Sequence, residues 1–321
     1  MKKTLAMNIR SIPFARLFPS RKTALVAARV VAVACGTIHA QVAVFASVNG
    51  PGSILQYTPA GKQSTFFMGL VQPRGMAFDS AGNLYVATNP IVAGFPQGTI
   101  LLLTPGGGQT TLGAADPNFM MEGLATDRQG NVFAVAINNN DPNGASTIYK
   151  FTPAGLRSTF GSSDGQAFSL AFDAAGNLYT GDGIFQKIYK FTPNGTRSDF
   201  VGPSAFSSTQ SPIGLAFDKS GNLYVSTEDG NGDNLPGDAI LKFTSNATKS
   251  PFASGLLYPR GIAFDSAGNL FVAEVPSDVP GDILKFNSAG KKSVLASSLG
   301  GPNGGAEFAA SPSRPGIGPR K

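Results

Sequence analysis

The chain of 321 residues contains one cysteine, one histidine and no tryptophan, and only 14% of its residues are charged. Cys35 and His39 both lie in the first 40 residues, so residues 41–321 contain neither residue type. That part of the chain cannot form a disulfide framework. It also offers no histidine base for a serine or cysteine nucleophile, which argues against the common types of nucleophilic catalysis.

The chain also lacks a long uninterrupted hydrophobic run. The most apolar stretch, residues 23–34, is interrupted by Arg29 and is too short to span a bilayer comfortably. It follows a basic segment and precedes Ile38-His39-Ala40, which is typical of a secretory signal. We therefore predict a signal peptide over residues 1–40 and an exported, periplasmic or extracellular, protein with no membrane span in the mature chain.

The excess of basic over acidic residues is confined to the same leader. The net charge is +6, but residues 1–40 hold seven basic residues and no acidic one, which leaves 18 basic and 19 acidic residues in 41–321. A mature chain of this balance lacks the positive surface that nucleic-acid binding requires, so we expect no nucleic-acid partner.

What the sequence does contain is a repeat. The segment Ala-Phe-Asp-Ser-Ala-Gly-Asn-Leu-Tyr at residues 77–85 returns four times in similar form. Its aspartates are Asp79, Asp127, Asp173, Asp218 and Asp265, which are 48, 46, 45 and 47 residues apart. A nearly constant period in this range indicates a repeat architecture.

Each repeat contains signals for four strands. A short apolar strand leads into the Asp-x-x-Gly-Asn turn, which suits a tight hairpin, and a strand rich in β-formers follows. After a loop of variable length comes a third strand, which ends in Lys-Phe in four of the five repeats, and then a short fourth strand. Alternation places the recurrent lysines opposite the apolar positions of the third strands: Lys150, Lys190, Lys242 and Lys285. Four antiparallel strands in about 45 residues are typical of one blade of a β-propeller.

The two ends of the chain predict how the ring closes. Residues 42–68 contain signals for the second, third and fourth strands of a blade, and residues 302–308 resemble the opening of a first strand. We therefore predict an all-β, six-bladed propeller over residues 41–310, with one blade shared by the N- and C-terminal strands. Residues 311–321 are predicted to be a disordered basic tail. We expect the protein to be a monomer.

The unit Pro-x-Gly-(Met/Leu/Ile)-Ala-(Phe/Thr)-Asp-x-x-Gly-Asn-(Leu/Val)-(Tyr/Phe)-Val resembles the NHL repeat. It is also similar to the wider group of six-bladed propellers that includes gluconolactonase-like proteins and streptogramin lyases. The resemblance covers roughly residues 42–310 and implies the fold. It implies little about activity, because the matching positions are the turn and core positions of every blade.

The chemistry of these families can be compared with individual residues. Streptogramin lyases and NHL-type amidating lyases depend on histidines, which the mature chain lacks, so we expect neither activity. Gluconolactonase-like enzymes bind a divalent metal in the channel through a Glu, an Asp and an Asn between Pro and Gly. Pro302-Asn303-Gly304 matches that last element, whereas the other ligands have no clear counterpart.

Charged residues and one asparagine at the mouth of the predicted channel form one candidate site. They precede the glycine of a first strand or end a second strand: Arg74, Glu122, Asp182, Glu228, Arg260, Glu274 and Asn303. The carboxylates are suited to a cation or a polyhydroxylated ligand, and the arginines to an anionic group. The alternative is a channel lining whose charges pair with one another.

A second candidate lies in a loop. Asp229, Asn231 and Asp233 place oxygen ligands at alternate positions, as at the start of a calcium-binding loop. The closing glutamate is replaced by Ile240, and Asp238 is the nearest substitute. The alternative interpretation is a flexible polar loop. A bound divalent cation, calcium or similar, is the only cofactor that the sequence suggests.

From the sequence we predict an exported NHL-type binding module. The Asp-x-x-Gly-Asn turns define one face of the propeller, and the loops of variable length, including residues 89–98, lie on the other. Variable loops on a rigid scaffold are where binding usually occurs, so we expect a protein, a glycan or a small polar ligand there. Two alternatives remain open: a metal-dependent lactonase or related hydrolase of the gluconolactonase-like type, and a structural surface scaffold.

Overall fold

The structure is a computed structural model that describes residues 44–48, 52–229, 238–275, 280–299 and 306–310. Contacts divide the chain into residues 1–41 and 42–321, and all the described residues belong to the second unit. The predicted signal peptide and the predicted tail lie outside the described residues. Within them, no helix is both long enough and apolar enough to cross a membrane.

Six four-stranded antiparallel sheets form the six blades of a propeller, which confirms the predicted fold. In each blade the strands are given from the innermost to the outermost. Blade 1 contains β4 (Met76–Phe78), β5 (Leu84–Thr88), β8 (Thr99–Leu103) and β9 (Gln109–Ala114). Blade 2 contains β10 (Phe119–Thr126), β11 (Val132–Asn138), β12 (Ser146–Phe151) and β13 (Arg157–Ser162).

The next three blades repeat this order. Blade 3 contains β14 (Ala171–Phe172), β15 (Leu178–Asp182), β16 (Lys187–Phe191) and β17 (Arg197–Val201). Blade 4 contains β18 (Ser211–Phe217), β19 (Leu223–Glu228), β20 (Asp238–Phe243) and β21 (Lys249–Leu256). Blade 5 contains β22 (Pro259–Phe264), β23 (Leu270–Glu274), β24 (Gly281–Phe286) and β25 (Lys292–Leu299).

Blade 6 closes the ring as the sequence predicts. Its innermost strand is the C-terminal β26 (Ala306–Ala310), and the other three are β1 (Val44–Val48), β2 (Ser53–Tyr57) and β3 (Gln63–Phe67). Strand β26 pairs antiparallel with β1, with Phe45 opposite Ala310. The innermost strands of neighbouring blades contact one another around the ring, including β26 with β4. Shared closure leaves no blade without a neighbour.

The recurrent aspartate holds the first hairpin of blades 1 to 5. Its Oδ1 accepts hydrogen bonds from the backbone N–H groups two and four residues later, and its Oδ2 accepts one from the Asn side chain of the motif. In blade 3 these three donor–acceptor distances, from Asp173 to Ala175 and Asn177, are 2.7–2.9 Å. Gly176 has φ +85°, a conformation that glycine adopts without strain. The motif is therefore a turn-forming element.

Aromatic side chains fill the seams between blades. Phe133 on β11 packs edge-on against Phe160 of its own blade and Phe172 of blade 3, with ring centroids 4.9 and 5.1 Å apart. The same arrangement recurs with Phe45, Phe66 and Phe78; with Tyr179, Phe200 and Phe217; and with Tyr224, Phe252 and Phe264. The Phe of the Ala-Phe-Asp motif thus packs on the preceding blade, which links the repeat to the burial of apolar surface.

The recurrent lysines lie over these rings. Lys150 is half-buried, and its Nζ lies 5.5 Å from the centroid of Phe133, its partner across the sheet. Lys190, Lys242 and Lys285 occupy equivalent positions over Tyr179, Tyr224 and Phe271. Each side chain covers an aromatic ring with its apolar stem while its ammonium reaches water.

The fold has two distinct faces. We call the side with the Asp-x-x-Gly-Asn turns the turn face, and the side with the loops between second and third strands the loop face. The loops that join one blade to the next also lie on the loop face. Since β1 begins and β26 ends on the turn-face side, the described ends Val44 and Ala310 lie there. The loop face is therefore directed away from both ends of the described chain.

Candidate functional site

The central channel is narrow and is lined by small and hydrophobic residues together with backbone groups. The innermost strands of blades 1 to 5 each present a small residue followed by a hydrophobic one, and these pairs surround about 60 Å³ of space that water molecules can occupy. The hydrophobic members are Met76, Leu124, Leu170, Leu215 and Ile262, all of which are buried. The small members are four glycines and Ser169. This part of the channel offers water-sized space and no charged side chain.

The glycines are required because the inner strands approach each other closely. A Cβ atom on Gly214 would lie 2.0 Å from the backbone oxygen of Arg260 in the next blade, closer than atoms can pack. The Ser226 hydroxyl accepts a hydrogen bond from Gly214 N–H and donates one to the same Arg260 oxygen, at 2.8 and 2.7 Å. Neighbouring blades are thus joined through backbone groups beside the channel mouth.

Two of the predicted charged residues form an ion pair between blades 1 and 2. Arg74 Nε lies 3.9 Å from Glu122 Oε1, and both side chains are largely buried. The backbone reinforces the contact, since Gly75 N–H donates to the Glu122 carbonyl oxygen at 3.1 Å. The charges of this pair are directed at each other.

A second pair joins blades 4 and 5. Arg260 Nε donates to Glu228 Oε1 at 2.9 Å, and the Glu228 side chain is 13% exposed whereas that of Arg260 is 33% exposed. Burial raises the pKa of Glu228, and the neighbouring guanidinium opposes that shift. The ion pair at the channel mouth is therefore largely shielded from solvent, and Arg260 is its more accessible member.

Asp182 is fully buried at the end of β15, where it accepts three backbone hydrogen bonds. Its Oδ2 accepts from Gly165 at 2.7 Å, and its Oδ1 accepts from Ile184 and Phe185 at 3.1 and 3.0 Å. Burial raises the pKa of Asp182, and the three N–H donors oppose the shift. The carboxylate holds the loops of blades 2 and 3 in place.

Glu274 and Asp238 have similar roles between blades 4 and 5. Glu274 is buried and accepts a hydrogen bond from Leu257 N–H at 2.8 Å, and burial raises its pKa. Asp238 is buried and accepts from Asp229 N–H at 2.7 Å and from Tyr258 N–H at 2.8 Å. These carboxylates fix the backbone of the loops that surround the channel mouth.

The metal candidates are only partly described. Asp229 and Asp238 lie at the two ends of the predicted calcium loop, where the Asp238 carboxylate accepts from the Asp229 backbone. Asn231, Asp233 and Asn303 lie outside the described residues. Among the described residues, no group of three or more carboxylates, histidines or cysteines is arranged to hold a metal ion. The described residues therefore do not form the ligand set of a gluconolactonase-like metal centre, and both metal sites remain predictions.

The loop face carries a hairpin that the sequence did not reveal. The sequence predicts residues 89–98 as a variable loop, but they contain β6 (Ile91–Val92) and β7 (Phe95–Pro96), which pair antiparallel. Ala93 and Gly94 between them have φ +51° and +87°, as in the tight turns of two-residue hairpins. The pair of apolar residues on each side of Ala-Gly was a signal that could have indicated it.

Exposed hydrophobic side chains concentrate on this face. Of the nine large ones in the described part of the chain, seven lie in its loops: Met68, Val71, Ile91, Val92, Phe95, Ile184 and Phe185. The other two are Leu156, in a turn of the opposite face, and Val294, on an outermost strand. Such a concentration on one side of a propeller is typical of an interaction surface.

Sequence reasoning also missed two groups of polar contacts that join neighbouring blades. Tyr149 donates to Asp116 of blade 1 at 2.7 Å, and Arg157 forms an ion pair with the same carboxylate at 2.7 Å. Tyr189, Arg197 and Asp164 repeat this arrangement between blades 2 and 3. The two donors lower the pKa of each aspartate. The shared Tyr and Arg positions of blades 2 and 3 were the available signal.

No protein-family model matches the chain, and no curated protein matches it. Solved structures do match. A chain in a crystal structure of a nidogen/laminin complex is 18% identical, with a TM-score of 0.62 over 84% of this chain and 97% of that one. These likenesses establish the fold.

Two enzyme structures match over somewhat shorter lengths. Virginiamycin B lyase from Staphylococcus aureus is 14% identical, with a TM-score of 0.56 over 80% of this chain and 85% of that one. A gluconolactonase from Xanthomonas campestris is 18% identical, with a TM-score of 0.56 over 70% and 77%. At such identities the propeller resemblance is confirmed for the fold alone. A histidine-to-alanine variant of the lyase is described as catalytically inactive, and the only histidine of this chain, His39, precedes the propeller.

Proposed function

We propose that this protein is an exported propeller that binds a protein partner through its loop face. The observation that carries the proposal is the concentration of exposed apolar side chains on that face. A soluble propeller has no folding reason to expose Ile91, Val92 and Phe95 together, because exposed apolar surface stabilises only when something covers it.

The loop-face surface is also well anchored. At the base of the hairpin, Asn89 is fully buried; its side chain donates to the Met121 carbonyl oxygen and accepts from Met121 N–H, at 3.0 and 2.8 Å. Its own N–H donates to the Val71 carbonyl oxygen at 3.1 Å, which ties the preceding loop to the hairpin. A preorganised surface of this kind loses little conformational entropy when a partner binds.

The channel mouth supports binding less well than the loops do. Arg74 and Arg260 form ion pairs with Glu122 and Glu228, and Asp182 and Glu274 accept backbone hydrogen bonds. A small polar ligand would have to compete with these internal contacts. The chain matched in the nidogen/laminin structure belongs to a complex between two proteins, which is the kind of function that we propose here.

Co-purification from the producing cells tests the proposal. The full chain would be compared with an Ile91→Ser/Phe95→Ser variant and with a matched control, Leu156→Ser, which replaces an even more exposed hydrophobic side chain on the turn face. We expect a protein that co-purifies with the wild type and the control but not with the double variant. Equal recovery with all three chains would contradict the proposal.

Export is the second part of the proposal. It is supported by the basic segment of the leader and by the apolar stretch that follows it. Cell fractionation and N-terminal sequencing test it directly. We expect the protein outside the cytoplasm, with a mature chain that begins at Gln41, whereas a cytoplasmic chain that retains Met1 would contradict export.

A further inference from the structure

The perimeter of the ring is formed by the outermost strand of each blade and by the turn that leads into it. On blades 4, 5 and 6 these segments are residues 244–256, 287–299 and 58–67. Together they contain four lysines and no acidic residue. We define the lysine rim as these four side chains, all of which are exposed: Lys62, Lys249, Lys291 and Lys292.

The segments of the lysine rim adjoin one another, because the turn of one blade rests on the outermost strand of the blade before it. A Cβ atom on Gly290 in blade 5 would lie 3.8 Å from the Phe252 side chain of blade 4. A Cβ atom on Gly61 in blade 6 would lie 2.5 Å from the carbonyl oxygen of Leu295 in blade 5. The rim is therefore a continuous surface across three blades.

Equivalent cations in blades 2 and 3 are neutralised. Arg157 and Arg197, which begin the outermost strands there, each form an ion pair with an aspartate that precedes their blade. Lys249 begins the outermost strand of blade 4, but its Nζ donates to a neutral group, the carbonyl oxygen of Ala205, at 2.7 Å. Among the described residues, no ion pair includes a lysine of the rim. The charge of the rim is therefore not offset in this way.

The carboxylates of blades 4 and 5 offset the rim only at one position. Burial raises the pKa of Glu274, and the charge of Lys292 opposes that shift, so Lys292 has a role inside the blade. The turn aspartates Asp218 and Asp265 follow the innermost strands, three strand spacings of about 4.8 Å from the outermost ones. That separation exceeds the Debye length of about 8 Å at physiological salt. We therefore assign the accessible charge of the rim to Lys62, Lys249 and Lys291.

The side chains between the lysines select the class of anion. Val294 is the single large hydrophobic side chain exposed in the described part of these segments. Protein interfaces usually contain an apolar core, and membrane-binding surfaces insert apolar side chains, so this surface suits neither. Hydroxyl and ammonium groups together suit a polymer that carries both sugar hydroxyls and anionic groups. The exposed hydroxyl side chains include Ser64, Thr65, Ser250 and Ser293.

We propose that the lysine rim binds an anionic polysaccharide, one with sulfate or carboxylate groups, along the perimeter of blades 4 to 6. A polymer with repeated negative groups engages lysines of three successive blades at once, whereas a small anion engages only one. Lysine carries a compact charge without the fixed geometry of a guanidinium, which suits a polymer whose anionic groups vary in position. The rim contains none of the exposed apolar residues of the loop face, so the inference does not depend on the proposed function.

Fluorescence anisotropy with labelled polymers tests the inference on the full chain. The probes are heparin, which is sulfated, polygalacturonate, which is carboxylated, and neutral dextran as the matched control. We expect binding to at least one of the two anionic polymers and none to dextran. Binding should weaken as sodium chloride is raised from about 50 mM to about 500 mM, because salt screens exposed charges. Failure to bind either anionic polymer, or equal binding to dextran, would overturn the inference.

Two triple variants locate the binding charge. Lys62→Gln/Lys249→Gln/Lys291→Gln removes three charges from the rim, and Arg128→Gln/Lys150→Gln/Lys190→Gln removes three from blades 2 and 3. We expect the rim variant to weaken binding about tenfold or more and the control to weaken it less than about twofold. Equal weakening would show that net charge governs binding and would overturn the inference. Circular dichroism of each variant confirms that loss of binding is not loss of the fold.

The loop-face variant Ile91→Ser/Phe95→Ser should bind the anionic polymer like the wild type, which distinguishes this inference from the proposed function. Loss of polymer binding in that variant would overturn the assignment to the rim. A DNA duplex of about 20 base pairs that binds as tightly as the better polysaccharide would show that the rim recognises charge alone. Phosphatidylglycerol vesicles that bind the wild type but not the rim variant, without binding of either polysaccharide, would identify a lipid surface instead.

Discussion

The two faces of this propeller use the same residue type in opposite ways. On the turn face, five aspartates occupy five equivalent turns and accept the same set of hydrogen bonds from the same positions of the motif. On the loop face, Asp182 and Asp238 each hold a different set of backbone donors, which for Asp238 includes the distant Tyr258. The repeated face is built by local sequence, whereas the loop face is built by contacts peculiar to each blade.

The two faces also differ in how many large hydrophobic side chains they expose. Leu156 is the one large hydrophobic side chain exposed in the described turns of the turn face, whereas seven are exposed in the loops of the other. The repeated turns of the turn face leave the apolar side chains buried between blades, where they stabilise the ring. The loops of the loop face expose apolar side chains to water, which costs free energy unless a partner covers them. This difference supports our proposal that the loop face serves recognition, while the turn face serves folding.

The largest expected effect comes from the seams. Phe133 is 3% exposed and contacts Phe160 and Phe172, so Phe133→Ala should reduce the free energy of unfolding by about 3–5 kcal/mol. Phe95 is 55% exposed on the loop face, so Phe95→Ala should change it by less than about 0.5 kcal/mol. Equilibrium denaturation in urea measures both, and similar losses would show that the two faces do not differ in this way.

A smaller effect is expected when a turn aspartate on each face is compared, because the one on the loop face accepts fewer hydrogen bonds. Asp173→Ala removes three hydrogen bonds from the turn and should cost about 2 kcal/mol. Asp141 on the loop face accepts from Asn143 and Ala145 at 2.8 and 3.3 Å, so Asp141→Ala should cost about 1 kcal/mol or less. Urea unfolding measures both variants: if the slopes are unchanged, the midpoint should fall more for Asp173→Ala than for Asp141→Ala. A larger fall for Asp141→Ala would contradict the prediction.

The smallest effect is a difference in pH dependence. Burial raises the pKa of Glu274, so the folded state disfavours its charged form, and stability falls as pH rises from about 4.5 through the raised pKa. The variant Glu274→Gln lacks that loss and should gain stability relative to the wild type between pH 4 and pH 7. Its amide oxygen can still accept the hydrogen bond from Leu257.

Asp164 provides the opposite case. The hydrogen bonds that Asp164 accepts from Arg197 and Tyr189 lower its pKa. Its contribution to the stability of the fold is therefore complete above about pH 3.8 and is lost as the pH falls through the lowered pKa. Asp164→Asn should therefore cost more at pH 7 than at pH 3. Urea denaturation of the wild type, Glu274→Gln and Asp164→Asn between pH 3 and pH 7 measures how each substitution changes stability with pH. Changes of the same sign for both variants would contradict the directions of the two pKa shifts.

Much of the scaffold could be predicted from the sequence because the repeat is local. Each turn contains its own aspartate, glycine and asparagine within five residues, as in Asp173, Gly176 and Asn177. The shared blade was also predictable, since residues 302–308 resemble a first strand and the observed β26 pairs with β1. The N-terminal blade lacks a first strand and the C-terminus contains one without a blade, so pairing the two is the simplest way to close the ring.

The loop face could not be derived in the same way because its contacts are distant in sequence. Arg74 and Glu122 are 48 positions apart, and Asp116 is 33 and 41 positions from its partners Tyr149 and Arg157. The channel-mouth residues are recognisable as charged, but the sequence leaves open whether they pair with each other or face a ligand. The hairpin at residues 91–96 was hidden because its loop has no counterpart in the other blades.

Site-specific photo-crosslinking in the producing cells tests the central claim most directly. A photoreactive phenylalanine analogue would replace Phe95 on the loop face in one chain and Leu156 on the turn face in another, both exposed positions. The account predicts a discrete protein adduct from position 95 and none from position 156. An adduct from position 156 alone, or the same adducts from both positions, would contradict the assignment of recognition to the loop face.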